Sequence, residues 1–211
     1  MIKAVIFDRD GVLIDSEYTN VKAAELAFGE LGIWLTEDEK KWIVGRHPSD
    51  YLIPLMEKYD FDYDKYRELQ REKYHQVLES TPVFEKTIKL VKEIHRKGLS
   101  IALCTSSNRT DSVKILEDIG IKNLFTAIVT KEDYSKRKPD PEPYLITAQK
   151  LGIRPEDCLV IEDSEIGLKS ASSAGMKCII IYNEYTKGHD FSGALDVVGS
   201  ADEIRLEEII S

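Results

Sequence analysis

The sequence predicts an α/β chain: a parallel β-sheet with helices on both faces, interrupted after its first strand by a helical insertion. Three observations predict it. Short apolar runs recur at residues 2–7, 99–104, 125–130, 158–162 and 177–182, and runs that do not alternate suit strands buried on both faces. Segments with apolar residues at helical spacing lie between the later runs, and strand–helix alternation points to parallel pairing. From about residue 17 to residue 80 the alternation stops, with no convincing strand.

Taken in order, "IKAVIF" is β-rich and ends at Asp8. Val21, Ala24, Phe28 and Leu31 form a helical stripe ending near Gly32, and Ser16 is expected to cap that helix. "TEDE" (36–39) reads as a capping box, Thr36 with Glu39. Tyr63, Tyr66, Leu69 and Val77 predict another long helix, and Trp34, Trp42, Tyr63 and Tyr66 are expected to build the insertion's own core. Hinges are expected near 15–17 and 80–83, the second marked by Thr81-Pro82. This divides the chain into a core (1–16 and 81–211) and a helical insertion (17–80). Ile88, Val91 and Ile94 predict a helix over 84–97, and Val113, Leu116 and Ile119 one over 109–119. Helices over 141–151 and 164–174 fill the remaining gaps. Gly167, Ala171 and Ala174 are small residues suited to close helix–sheet packing. The tail "ADEIRLEEIIS" reads as a short amphipathic helix packing on the sheet.

The 211 residues allow one large domain or a core with an insertion, and 42% hydrophobic content supports a real core. A net charge of −9 disfavours nucleic acid and anionic membranes as partners. No run approaches the ~18–20 apolar residues of a membrane span, and the N-terminal run lacks a signal-peptide pattern, so a cytoplasmic location is expected. Cys104, Cys158 and Cys178 are scattered, without C-x-x-C spacing, and read as reduced core residues. His47, His75, His95 and His189 show no paired spacing, so no zinc site is expected. Nothing demands more than a monomer.

In an open parallel sheet, ligands bind beyond the carboxyl ends of the strands. Asp8 and Asp10 come after the first run; Thr105, Ser106 and Ser107 after the second; Lys138 lies in "KRKPDPEPY"; Glu162 and Asp163 come after "CLVI". Two crowded carboxylates repel, and a hard divalent cation such as Mg²⁺ removes that penalty. A hydroxyl and a lysine suit a phosphate, and Gly11 allows a sharp turn beside the ligand. The chemistry that fits is phosphoryl transfer to a carboxylate: one aspartate attacks phosphorus and the other moves the proton.

"DRDGVLIDSE", "CTSSNR", "KRKPDPEPY" and "VIEDSEIGLKSASSAG" resemble, in order, the motifs of the haloacid dehalogenase-like (HAD) hydrolases, from residue 3 to about 182. The resemblance is to the β-phosphoglucomutase and phosphoglycolate phosphatase branch. It implies a Rossmann-like core with a helical cap inserted after the first strand. It implies Asp8 as nucleophile and Asp10 as general acid and base. Mg²⁺ would sit on the Asp8 carboxylate, the Asp10 carbonyl and Asp163, with Glu162 adjacent. Thr105, the Ser106 amide and Lys138 would hold the phosphate of a small phosphorylated metabolite.

Three positions depart from that branch or bear on its substrate. Arg9 replaces an apolar residue, with a salt bridge or a surface role expected. Asn20 stands where the mutases carry a histidine, which favours a phosphatase over a mutase. Arg46 matches an arginine that in the mutases meets a second phosphate, and Lys73 is a further substrate candidate. Asp15 and Glu17 are expected at the hinge and surface, and Asp140 and Glu142 in a solvated Pro-rich turn. Asn108 and Arg109 begin a helix, in a capping role or against substrate. A phospho-receiver domain pairs similar residues but puts its acceptor after the third strand. An inactive scaffold would have lost one of Asp8, Asp10, Thr105, Lys138 or Asp163.

Overall fold

The computed structural model describes residues 1–46 and 48–210; His47 lies outside them. In chain order, β1 (Ala4–Phe7) is followed by α1 (Ser16–Glu30), α2 (Glu37–Ile43), α3 (Pro48–Lys58) and α4 (Tyr63–Leu78). Then come α5 (Glu85–Arg96), β2 (Ser100–Cys104), α6 (Arg109–Asp118), β3 (Ala127–Val129), α7 (Glu142–Leu151) and β4 (Cys158–Glu162). The chain ends with α8 (Glu165–Ser173), β5 (Lys177–Ile181), β6 (Asp196–Val198) and α9 (Leu206–Ile210). Two compact units result: Met1–Ile14 with Val83–Ser211, and Asp15–Pro82.

The first unit is built on a six-stranded parallel sheet of order β3-β2-β1-β4-β5-β6. Every residue of β1 and β4 is buried, as continuous apolar runs require. Ala4, Ile6, Ala102, Cys104, Cys158, Val160, Cys178 and Ile180 line one face, against Tyr144 and Ala148 of α7 and Leu168 and Ala171 of α8. The three cysteines are free and buried there. The alternate residues Val5, Phe7, Ile101, Leu103, Leu159 and Ile161 are fully buried on the other face. α5 turns Ile88, Leu90, Val91 and Ile94 inward and packs against β2. The chain builds from β1 outward to one side, then returns to build β4, β5 and β6 on the other. That reversal leaves a crevice at the carboxyl ends of β1 and its neighbours.

In this unit two features differ from expectation. β6 is a sixth strand of only three residues, its Val197 half-exposed at the sheet's edge, so it carries no buried apolar run to read. The tail is a 3-10 turn at Ala201–Glu203 followed by a five-residue α9; the turn packs on α5, burying Ala201.

The second unit is helical. α1 lies along α4, burying Ala23, Ala24, Ala27 and Phe28. Phe28 packs with Phe61 and Tyr66, ring centroids 5.2 and 4.4 Å away, and Trp42 joins at the margin. Trp34, at 81% exposure, is not core: it stands between buried Ile33 and Leu35, and alternation turns it outward. Tyr63 opens α4 and is also exposed. The capping box forms, with Glu39 N–H donating to Thr36 Oγ1 (3.2 Å) and Thr36 N–H to Glu39 Oε2 (2.8 Å). The cap of α1 is Asp15, which accepts from Tyr18 N–H; Ser16 is the first helical residue and is buried. α3 carries Pro54 in its interior, which hides it from a sequence reading, and is held by buried Tyr51, Leu52 and Leu55. Among the described residues, no helix is long and apolar enough to cross a membrane.

Candidate active site

β1 delivers Asp8 to the crevice: its N–H still donates to Ile161 of β4 (3.0 Å). The chain then turns back, with Gly11 at φ +73° and its N–H bonded to Ile14 O (3.0 Å). Asp8 Oδ2 accepts from Asp10 N–H (2.8 Å) and Oδ1 from Lys138 Nζ (2.7 Å). Lys138, in the loop before α7, precedes Pro139 through a cis peptide bond. Its buried ammonium also donates to Glu162 Oε1 (2.7 Å), Tyr144 OH (3.0 Å) and Cys104 O (3.1 Å).

Glu162 is wholly enclosed. Oε1 also accepts from Tyr144 OH (2.9 Å); Oε2 accepts from Ser164 Oγ (2.9 Å) and the N–H groups of Asp163 (3.0 Å) and Ser164 (3.2 Å). Gly167 makes room for it: a Cβ there would lie 1.9 Å from Glu162 Oε1. The smallness of Gly167 therefore serves a buried carboxylate rather than an apolar helix–sheet contact. Burial pushes Asp8 up to about 7, opposed by Lys138 and aided by the charges of Glu162 and Asp10. Burial works against the charge on Lys138, yet Asp8 and Glu162 hold its pKa above the usual lysine value. Burial likewise opposes ionised Glu162, and Lys138 holds it below the usual carboxylate range.

A second cluster surrounds Asp10. Arg9 is only 1% exposed, so the expected salt bridge forms and a surface role does not. Its Nη2 donates to Asp10 Oδ1 (2.9 Å) and Ser107 Oγ (2.7 Å), its Nε to Asp10 Oδ1 (3.3 Å), and its Nη1 to Ser112 Oγ (3.2 Å). Asp10 Oδ2 accepts from Ser107 Oγ (2.9 Å) and Thr105 Oγ1 (3.4 Å). Thr105 is buried, and its Oγ1 accepts from Ser107 N–H (3.1 Å); Ser106 is exposed.

The model of the family described as haloacid dehalogenase-like hydrolase matches residues 5–181. The chain is a haloacid dehalogenase-like hydrolase. YhcW of Bacillus subtilis (strain 168), a candidate phosphatase, is 34% identical over 193 residues, 88% of this chain and 86% of that protein. A phosphorylated carbohydrates phosphatase of Thermotoga maritima is 29% identical, covering 100% and 97%. Fructose-1-phosphate phosphatase YqaB of Escherichia coli (strain K12) is 28% identical, covering 83% and 94%. Among solved structures, a HAD family hydrolase from Deinococcus radiodurans with bound phosphate and sodium aligns with a TM-score of 0.78 at 26% identity, covering 98% and 95%. β-Phosphoglucomutase from Clostridium difficile aligns at 0.72 and 25%, covering 99% and 96%.

Among the described residues of this hydrolase, no three His, Cys, Asp or Glu side chains form a ready-made metal cluster. The donor chemistry nevertheless fits a hard cation. The Asp163 carboxylate lies against Gly11, where a Cβ would stand 1.9 Å from Oδ2, and it accepts from Asn183 Nδ2 (2.9 Å). Burial and the charges of Glu162 and Asp8 push Asp163 up to about 8, with Asn183 opposing. An oxygen-seeking cation would stabilise both carboxylates, buried Asp8 and half-buried Asp163, in their ionised form.

The other candidates take no part in these bonds. Asn20 is exposed on α1, and Arg46 is exposed with its guanidinium over Trp42 (5.4 Å), both in the helical unit. Lys73 pairs with Glu30 (2.8 Å). Glu17 accepts from Gly45 N–H (2.9 Å). Glu142 accepts from the N–H groups of Ser135 and Lys136, and Asp140 from that of Glu142, so both order the loop that carries Lys138. Asn108 caps α6, and Arg109 pairs with Asp133. Tyr144, Ser112 and Asn183 complete the site beyond the residues predicted for it.

Proposed function

We propose that this hydrolase is a Mg²⁺-dependent phosphatase that cleaves a small phosphorylated metabolite, a sugar phosphate or a phosphoglycolate-like acid, through an aspartyl-phosphate on Asp8. The observation that carries the reading is the Asp8 carboxylate at the end of β1, held by a buried lysine and the Asp10 amide at the sheet's switch point. Relatives named as phosphatases of phosphorylated carbohydrates support the substrate class.

In this reading an Asp8 oxygen forms a bond to phosphorus as the ester P–O bond breaks, and Asp10 gives its proton to the leaving oxygen. Water then attacks the phosphorus of the aspartyl-phosphate, Asp10 takes its proton, and phosphate leaves as the Asp8 carboxylate reforms. Lys138, Thr105 and the Ser106 amide hold the phosphoryl oxygens. Asp8, the Asp10 carbonyl and Asp163 would hold Mg²⁺, which supplies neutralisation of phosphoryl charge when bound. Glu162, expected beside the metal, is assigned instead as the counter-ion that keeps Lys138 charged and in place. Arg46 and Asn20 remain proposed substrate contacts from the helical unit.

The test is inorganic phosphate release from a panel of sugar phosphates and 2-phosphoglycolate with Mg²⁺, by wild type and Asp8→Asn. Wild type should release phosphate and the variant none. Turnover by Asp8→Asn at the wild-type rate sinks the mechanism. Conversion of a sugar 1-phosphate to its 6-phosphate without net release would make the chain a mutase.

A further inference from the structure

We propose that Arg9 is a positioning residue that fixes the Asp10 carboxylate for proton transfer; this rests on the reading of Asp10 as the general acid and base. A fully buried guanidinium is costly unless paired and hydrogen-bonded. Arg9 meets that requirement by binding outward to Asp10 and inward to the scaffold. Ser112, on α6, holds Nη1, and Ser107, in the loop after β2, holds Nη2, so the guanidinium is docked on two elements that do not belong to the β1 loop. Asp10 is different: its side chain is 32% exposed and could turn among rotamers. Arg9 Nε and Nη2 hold its Oδ1 from one side, and Ser107 and Thr105 hold Oδ2 from the other. Ser107 bonds both Arg9 and Asp10, and so closes the clamp. Without Arg9 the carboxylate loses its only charged partner among these bonds, while Asp8 and Lys138 keep theirs.

The experiment compares p-nitrophenyl phosphate with phenyl phosphate under Mg²⁺. The nitrophenolate departs with little help, whereas phenolate gains from a placed proton donor, so the ratio of the two kcat/KM values reads the acid. A general fault in folding or phosphate binding lowers both alike. Arg9→Met should lower kcat/KM on phenyl phosphate about tenfold or more, and on p-nitrophenyl phosphate less than about threefold. Asp10→Asn should shift the ratio in the same direction, and adding Arg9→Met to it should shift the ratio no further. Ser112→Ala, which removes one support of the guanidinium and leaves Asp10's own bonds intact, should give a smaller shift of the same sign. It carries the test if Arg9→Met does not fold. Equal losses on both esters in Arg9→Met, or an unchanged ratio in Ser112→Ala, overturn the role of Arg9. An unchanged ratio in Asp10→Asn overturns the acid–base reading itself, and Arg9's role with it.

Discussion

Replacing Gly167 with alanine tests whether Glu162 is wedged between α8 and Lys138. A Cβ at Gly167 would lie 1.9 Å from both Cδ and Oε1 of Glu162 and 2.3 Å from Oε2, well inside van der Waals contact. The backbone is helical there, so alanine brings no φ strain, and by propensity alone it should stabilise α8 by about 1 kcal/mol. The clash must be relieved by Glu162. Its Oε2 is bonded to Ser164, whose hydroxyl in turn accepts from Gly167 N–H, so α8 cannot retreat without breaking its own cap. If Glu162 turns away, Lys138 loses its 2.7 Å bond and Tyr144 its 2.9 Å bond.

Breaking one side of a buried ion pair costs about 3–5 kcal/mol, and the propensity gain offsets part of it, leaving a net loss of roughly 2–4 kcal/mol. At about 2–4 °C per kcal/mol for a chain of this size, Tm should fall by roughly 4–16 °C. Lys138 would also lose its fixed position beside Asp8, and kcat/KM should fall about 100-fold. Differential scanning calorimetry and phosphate release check the two effects. A Tm that stays level or rises by the amount propensity allows, with activity intact, would mean that Glu162 is not held as described.

The same geometry gives three further expected outcomes. Asn183→Ala removes the amide bonded to Asp163, and Mg²⁺ affinity measured by titration calorimetry should fall about 10–100-fold; unchanged affinity would show that Asp163 does not bind the metal through this arrangement. Burial pushes Asp8 up to about 7 and Asp163 up to about 8, so in the proposed reading Mg²⁺ would compete with protons for both carboxylates near neutral pH. Affinity should therefore rise between pH 6 and pH 8, with a binding enthalpy that differs between two buffers of unequal ionisation enthalpy; identical enthalpies contradict it. Glu39 lies at about 2 because Lys58, Thr36 and Tyr59 outweigh the burial that opposes its charge. Its folded pKa is depressed below the ordinary 4.5, so its contribution is present above that value and lost as pH falls toward 2. Glu39→Gln should cost roughly 1–2 kcal/mol at pH 7, discounted for partial exposure, and the gap from wild type in urea unfolding should close in acid.

The fold was legible where burial belongs to a whole segment. Runs such as "AVIF" and "CLVI" are apolar along their length because both faces are covered, and five of the six strands announce themselves by an apolar run. β6 does not, since three residues at an edge, of which Val198 alone is buried, carry no such run, and α3 is masked by Pro54. The site was legible only in its position. Asp8, Thr105 and Asp163 each stand just past the end of an apolar run, where a parallel sheet opens its crevice. The fifth run ends at Tyr182, and by the same rule Asn183, the residue after it, belongs with them, although β5 itself ends one residue earlier at Ile181. Partnerships are another matter, because they are properties of pairs far apart in sequence. Nothing local tells that Glu162 turns to Lys138 while its neighbour Asp163 turns to Gly11, or that Tyr144 bridges the first pair. Yet one local signal was available for Arg9. A permanent charge two residues beyond a strand buried on both faces, where the chain turns back against the core, is costly to bury unpaired, so a partner within a few ångströms is expected. Which partner answers that charge is not local: strict alternation would set Asp8 and Asp10 together on the side away from Arg9, and it is the turn at Gly11 and the serines of the neighbouring elements that bring the Asp10 carboxylate to the guanidinium.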